Sequence, residues 1–183
     1  MKKQRVLLIT PNLNGVKDGL NRIQPPLGLM LIARLIEKDG HVVKIYDTAL
    51  EGWNTRKEIS SRGLIEIGQT DEEIANLIKE FEPSILGISV LFSNLINSTH
   101  NIAKISKQVN KSIITIIGGN HISNAVKDYE YNLIAKLPEL TDTIPDLENE
   151  YIDYAVIGES DHGFSKIINK ISENKSIDEM PGI

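Results

Sequence analysis

Five short apolar runs alternate along the chain with stretches whose apolar residues recur every three or four positions. The runs are Val6–Thr10, Val42–Tyr46, Ile85–Ser89, Ile113–Ile117 and Tyr154–Ile157. Each is almost continuously aliphatic, as strands are when a parallel sheet is covered on both faces. After Pro25-Pro26, the residues Leu27, Leu31, Ile32, Leu35 and Ile36 keep helical spacing, and Gly40 supplies a stop. Thr70-Asp71-Glu72-Glu73 reads as a capping box for a second helix with Ile74, Leu77, Ile78 and Phe81 on its core face, ended by Pro83. A third helix is predicted over Leu95 to Val109, and a last one carries Phe164, Ile167, Ile168 and Ile171.

This alternation, with right-handed crossovers, predicts a flavodoxin-like, Rossmann-like α/β domain: a doubly wound five-stranded parallel sheet of strand order 2-1-3-4-5. Two stretches interrupt it. Glu51 to Gln69 reads as a polar connection with a lone Trp53, and Ala125 to Asn149 as an insertion holding a helix around Tyr129 to Leu137, broken afterwards by Pro138 and Pro145. Residues 1–177 are expected to form one domain and residues 178–183 to begin a linker.

Composition narrows the function. The 183 residues are 40% hydrophobic, enough to bury a core, and a net charge of −5 gives no basic footprint for nucleic acid. No apolar run is long enough to span a membrane, and Met1-Lys2-Lys3-Gln4-Arg5 leads straight into a strand pattern, so the cytoplasm is the expected location. Cysteine is absent, which excludes disulfides, a thiol nucleophile and a cysteine-held iron–sulfur cluster in these residues.

Ligands of such sheets bind outside the carboxyl ends of the strands, where the strand order reverses. The loops to inspect are Pro11 to Gly15, Ser89 to Asn94, Gly118 to His121 and Gly158 to His162. Gly15 and Gly19 lack the G-x-G-x-x-G spacing of a dinucleotide site, and no P-loop is present. Thr10-Pro11-Asn12 and Ser89 stand where a receiver domain would need acids. Ser93, Ser98 and Thr99 keep a flavin reading open. Gly118 and Gly119 admit a flat group against the backbone, or form a tight strand-to-helix turn. The Ser89 hydroxyl suits a ring nitrogen or a neighbouring carbonyl, and Leu91 an aromatic group or the core.

Ser89-x-Leu91 and Gly118-Gly119 resemble two signatures of the cobalamin-binding fold. The phrases Pro25-Pro26-Leu27-Gly28-Leu29, Gly40-His41-Val42-Val43, Ile117-Gly118-Gly119-Asn120-His121 and Asp153 to Glu159 extend the resemblance, in order, to the N-terminal cobalamin-binding domain of radical S-adenosylmethionine enzymes. It implies a cofactor site of Asn12, Leu13, Ser89, Leu91, Ser93, Gly118, Gly119, His121, Gly158 and Glu159. Ser89 would meet the benzimidazole of the nucleotide tail, and the corrin would rest on the loops Pro11–Asn14 and Ser89–Asn94. Gly119 would face the tail, so that Gly119→Leu blocks cobalamin and spares the fold; as a turn glycine it would instead destabilise the domain.

Methyltransferase relatives carry a D-x-H-x-x-G motif whose histidine ligates cobalt; Pro11-Asn12-Leu13-Asn14-Gly15 has no histidine. The resemblance therefore implies base-off, His-off cobalamin. It also implies a parent methyltransferase whose downstream barrel binds S-adenosylmethionine and a 4Fe-4S cluster through C-x-x-x-C-x-x-C, and no turnover by these residues alone. That barrel is the expected partner, with no nucleic acid and no membrane. The alternatives are a stand-alone flavodoxin-like domain for flavin or a protein partner, and a family member that has lost cobalamin.

Overall fold

The computed structural model describes residues 2–60, 62–135, 146–158, 161–178 and 180–183. In chain order the elements are β1 (Arg5–Thr10), β2 (Leu13–Val16), α1 (Leu27–Lys38), β3 (Val42–Asp47), α2 (Thr48–Glu51), β4 (Arg56–Glu58), β5 (Leu64–Ile67) and α3 (Asp71–Phe81). They continue as β6 (Ile85–Ser89), a 3-10 turn (Ser93–Leu95), α4 (Ile96–Val109), β7 (Ile114–Gly118), α5 (Asn120–Ala135), β8 (Tyr154–Val156) and α6 (Asp161–Ser172).

The five apolar runs form one sheet of order β3-β1-β6-β7-β8, every pairing parallel, which is the 2-1-3-4-5 order expected. Helices cover both faces. On one, α1 and α6 bury Leu29, Ala33, Ile36, Phe164, Ile167 and Ile168 against Val6, Leu8, Ile85, Ile116 and Val156. On the other, α3, α4 and α5 bury Ile74, Leu77, Ile78, Ile102, Ile105 and Ile122 against Leu7, Ile9, Leu86, Ile88 and Ile117. Alternate residues of each strand serve opposite layers, as pleating requires. The capping box forms as read: Thr70 Oγ1 accepts from the Glu73 amide, and the Glu73 carboxylate accepts from the Thr70 amide.

Three expectations are corrected. The stretch Glu51 to Gln69 is not a plain polar connection. Ile65 and Ile67 alternate with Glu66, and this short period-2 pattern forms β5, the centre of an antiparallel sheet β2-β5-β4. The loop expected at Pro11–Asn14 is accordingly drawn into strand β2 from Leu13 onward. The helix expected from Tyr129 begins at Asn120, directly after the glycine pair, and is continuous to Ala135. Leu137, Pro138 and Pro145 lie outside the described residues. At the chain end, Ile177, Met180 and Ile183 lie against the α1/α6 core, and the Ile157 amide donates to the Gly182 carbonyl at 2.8 Å.

Candidate functional site

The α1/α6 face of the central strands is lined with small residues toward its carboxyl edge. Gly87 and Ser89 share the parity of Ile85 on β6, and Gly118 shares that of Ile116 on β7; register places Ser89 directly opposite Gly118. Where aliphatic side chains fill the amino end of this face, a cleft of about 190 Å³ opens at the other. Its floor is Leu8, Gly87, Ser89, Ile116, Gly118 and Val156, its walls are Gly28, Leu29 and Ile32 of α1 and Phe164 of α6, and Leu91, Gly119 and Gly158 edge it.

The glycines of this cleft have different jobs. A Cβ on Gly87 would stand 2.9 Å from Leu8 Cδ2 and 3.1 Å from the Phe164 ring, so this residue lets α6 approach the sheet. A Cβ on Gly118 would meet only Val156, its carbonyl oxygen at 3.4 Å, and one on Gly28 or Gly158 nothing within 4 Å. Gly119 has φ +113° and its Cβ would lie 2.6 Å from the Val90 carbonyl oxygen, with backbone on every near side. It lines the cleft as expected, yet the expectation that Gly119→Leu spares the fold is overturned. The residue is a turn glycine whose neighbours are main chain and cannot yield.

A second cleft, of about 260 Å³, adjoins the first and shares Ser89 and Leu91 with it. Thr10 and Pro11 line it from the end of β1, Leu13 from the start of β2, Asp47 from the end of β3, Ala49 from α2, and Arg22 to Pro26 from the segment entering α1. Asp47 also caps α2, its Oδ1 accepting from the amides of Ala49 and Leu50 at 3.1 Å.

The remaining expected residues are scattered. Ser93 and His121 line a third, polar cleft together with Leu91, Asn94, Asn120, Asn124, Asp128 and Asp146. His121 is buried in the first turn of α5, and its Nε2–H donates to Asp146 Oδ2 at 2.9 Å; the Nε2–H of His100 donates to the Asp146 carbonyl at 3.1 Å. Asn12 is buried away from all three clefts. Its side-chain amide donates to the Gln69 carbonyl at 2.9 Å and accepts the Gln69 amide at 3.1 Å, tying β1 to the small sheet. The Gly158 amide donates to Ser123 Oγ at 2.9 Å. Glu159, and the side chain of His162, lie outside the described residues.

Among the described residues no histidine lines either of the first two clefts. His41 is engaged elsewhere: its Nδ1 accepts from the Gln4 amide at 3.2 Å and its Nε2–H donates to Asn169 Oδ1 at 2.9 Å. Asn169 and Ser165 of α6 in turn donate to Asp39, which holds that carboxyl below the usual aspartate range. This network fastens α6, and with it Phe164, to the turn between α1 and β3. Among the described residues no cluster of three or more His, Asp or Glu stands ready to hold a metal ion, and no helix is long and apolar enough to cross a membrane.

Sequence reading overlooked Thr10, Arg22, Gly28, Gly87 and Phe164. Gly87 had a signal, because a glycine inside a buried strand marks close approach by another group. Arg22 had none, since only the path of the segment before α1 brings it to the cleft.

A family model described as B12 binding domain matches residues 15–148. Cytidylyl-2-hydroxyethylphosphonate methyltransferase of Streptomyces wedmorensis is 30% identical over 181 residues, which are 98% of this chain and 31% of that protein. An uncharacterized methyltransferase of Pyrococcus horikoshii is 28% identical over 184 residues, 100% of this chain and 33% of its own. The chain thus spans about a third of the length of these curated relatives. Among solved structures, a cobalamin-binding protein from Desulfitobacterium hafniense matches with a TM-score of 0.49 and 16% identity, over 92% of this chain and 59% of that one.

Proposed function

The chain belongs to the B12-binding domain family, and from that premise we propose that its paired clefts hold cobalamin as the cofactor-carrying module of a radical S-adenosylmethionine methyltransferase. The observation that carries this reading is the run of small residues, Gly87, Ser89 and Gly118, on one face of the two central strands. A narrow, largely apolar slot with a hydroxyl at its rim suits a planar heteroaromatic base, and it adjoins a wider opening at the sheet edge. Ser89, Gly118, Gly119 and Gly158 would hold the nucleotide tail; Leu13 and Leu91 would support the corrin. Among the described residues the Ser89 hydroxyl has no hydrogen-bond partner and is available to donate to a ring nitrogen. Asn12 acts through its bonds to Gln69, fixing the small sheet against the end of β1. When bound, cobalamin supplies a cobalt centre able to accept and donate a methyl group.

Among the described residues neither cleft lining contains a histidine, and the loop after β1 has none, which favours the base-off, His-off state. Electron paramagnetic resonance of the cob(II)alamin complex is expected to lack axial-nitrogen splitting; its presence would point to a histidine ligand. The relatives are about three times longer. A further domain holding S-adenosylmethionine and a 4Fe-4S cluster is therefore part of the reading, with turnover requiring both domains, in the cytoplasm. Such a cluster needs cysteines, which these residues do not have. An absorbance titration with hydroxocobalamin tests the core of the proposal. A saturable spectral change at one equivalent is expected, and an unchanged spectrum defeats it.

A further inference from the structure

Among the described residues, three polar groups that line the second cleft have no side-chain partner. Thr10 Oγ1 is the one buried side-chain polar atom without a hydrogen bond among the described residues. Thr10 follows Val6 and Leu8 on the α1/α6 face of β1, and the register Ile9 to Ile88 brings it beside Ser89. The Ser89 hydroxyl is likewise unbonded, and both residues line the second cleft. Across that cleft, Arg22 carries a guanidinium with no carboxylate, carbonyl or aromatic partner among the described residues. Asp47 is the opposing charge there, but its carboxylate already accepts two backbone amides of α2. Leaving a buried hydroxyl unbonded costs stability, and a guanidinium that lines the same cleft as such a hydroxyl offers, with it, a donor set suited to an oxyanion.

We propose that Arg22 and Thr10 form a phosphodiester site in the second cleft, next to Ser89, and that the diester of the cobalamin nucleotide tail is its ligand. This rests on the reading that the clefts bind cobalamin. The tail reading puts the base in the first cleft and the corrin over the second, so the diester linking them passes the junction at Ser89 and Leu91. The diester is also the anionic group of a cofactor whose rim is otherwise neutral carboxamides. Arg22 pairs with it in bidentate fashion and the Thr10 hydroxyl donates to its oxygens, while the one hydroxyl hydrogen of Ser89 stays with the ring nitrogen of the base. Thr10 then gains the partner it lacks in the free domain.

The test compares three corrinoids on the domain and on the variants Arg22→Leu and Thr10→Val. Hydroxocobalamin carries diester and base, cobinamide phosphate carries the phosphate alone, and cobinamide carries neither. Arg22→Leu is expected to weaken the first two by roughly tenfold or more and to leave cobinamide unchanged. Added salt should weaken hydroxocobalamin binding to the parent domain and lose that effect in the variant. Thr10→Val should weaken hydroxocobalamin while the melting temperature of the free domain holds or rises, because an unbonded hydroxyl has been removed. Equal loss for cobinamide, or unchanged hydroxocobalamin affinity in Arg22→Leu, overturns the proposal. If inorganic phosphate binds through Arg22 but hydroxocobalamin affinity ignores it, the site serves another phosphate ester and the tail assignment falls. If the parent domain binds no corrinoid, the cobalamin reading itself fails, before any variant is compared.

Discussion

The two faces of the parallel sheet are made from the same strands and differ in what their alternate residues weigh. Under α3, α4 and α5 the central strands present Leu86, Ile88, Val90 and Ile117, all almost wholly buried. Under α1 and α6 the same strands present Ile85, Gly87 and Ser89 on β6 and Ile116 and Gly118 on β7. The first face is a core whose contacts are complete within the domain. The second is a core only at its amino end and becomes a cleft at its carboxyl end. A pleated strand addresses two layers independently, so one face can be given to ligand without loosening the other.

That contrast can be broken most severely at the turn joining the two regions. Gly119→Leu forces a side chain into the Val90 main chain at a positive φ, and a loss of roughly 4 kcal/mol is expected from strain and overpacking together. Urea unfolding of the free domain measures it, and a midpoint near that of the parent would show that the turn can rearrange. Next comes the packed face. Ile117→Ala should cost about 3 kcal/mol as a cavity among surrounding aliphatics, while hydroxocobalamin affinity stays unchanged. A parallel fall in affinity would mean the two faces are coupled through the sheet.

On the cleft face the balance should reverse. Gly118→Leu meets only Val156 at ordinary contact distance, so free-domain stability should shift by less than about 1 kcal/mol. The added side chain fills the slot, and hydroxocobalamin binding should weaken by roughly tenfold or more. A variant that binds normally removes this cleft from the site. The smallest effect concerns the fastening of α6. The Asp39 carboxyl is depressed by hydrogen bonds from Ser165 and Asn169, so its contribution is present above the ordinary aspartate value of about 3.9 and fades as pH falls through its lower folded value. Asp39→Asn should therefore lower the urea midpoint slightly at neutral pH, with the difference from the parent closing in strongly acidic buffer. A difference that persists there would assign the effect to shape rather than charge.

Legibility followed the length and repetition of each signal. The five parallel strands and the helices α1, α3, α4 and α6 were readable because each repeats its period over enough residues to outweigh local noise. The small sheet was not: β2, β4 and β5 are three or four residues long, β4 is wholly charged, and only Ile65 and Ile67 alternate clearly. In the site, Ser89, Gly118 and Gly119 were legible as unusual residues at strand ends. The role of Gly119 was legible only as a choice between ligand contact and turn, which φ and the nearness of Val90 decide for the turn. The bonds of Asn12 to the Gln69 main chain were not legible, because a polar residue after a strand looks the same whether it faces a ligand or a neighbouring backbone.

By itself, then, the order of apolar periods determined the sheet, its winding and the edge at which a ligand would sit, because these follow from local periodicity and from the handedness of crossovers. Tertiary structure alone decided which residues share a cleft. Arg22 lines one cleft with Thr10 and Ser89 across 12 and 67 positions of chain, and Phe164 packs over Gly87 across 77. No local pattern encodes such meetings. They arise when helices settle on a sheet whose side-chain volumes set how closely each can approach.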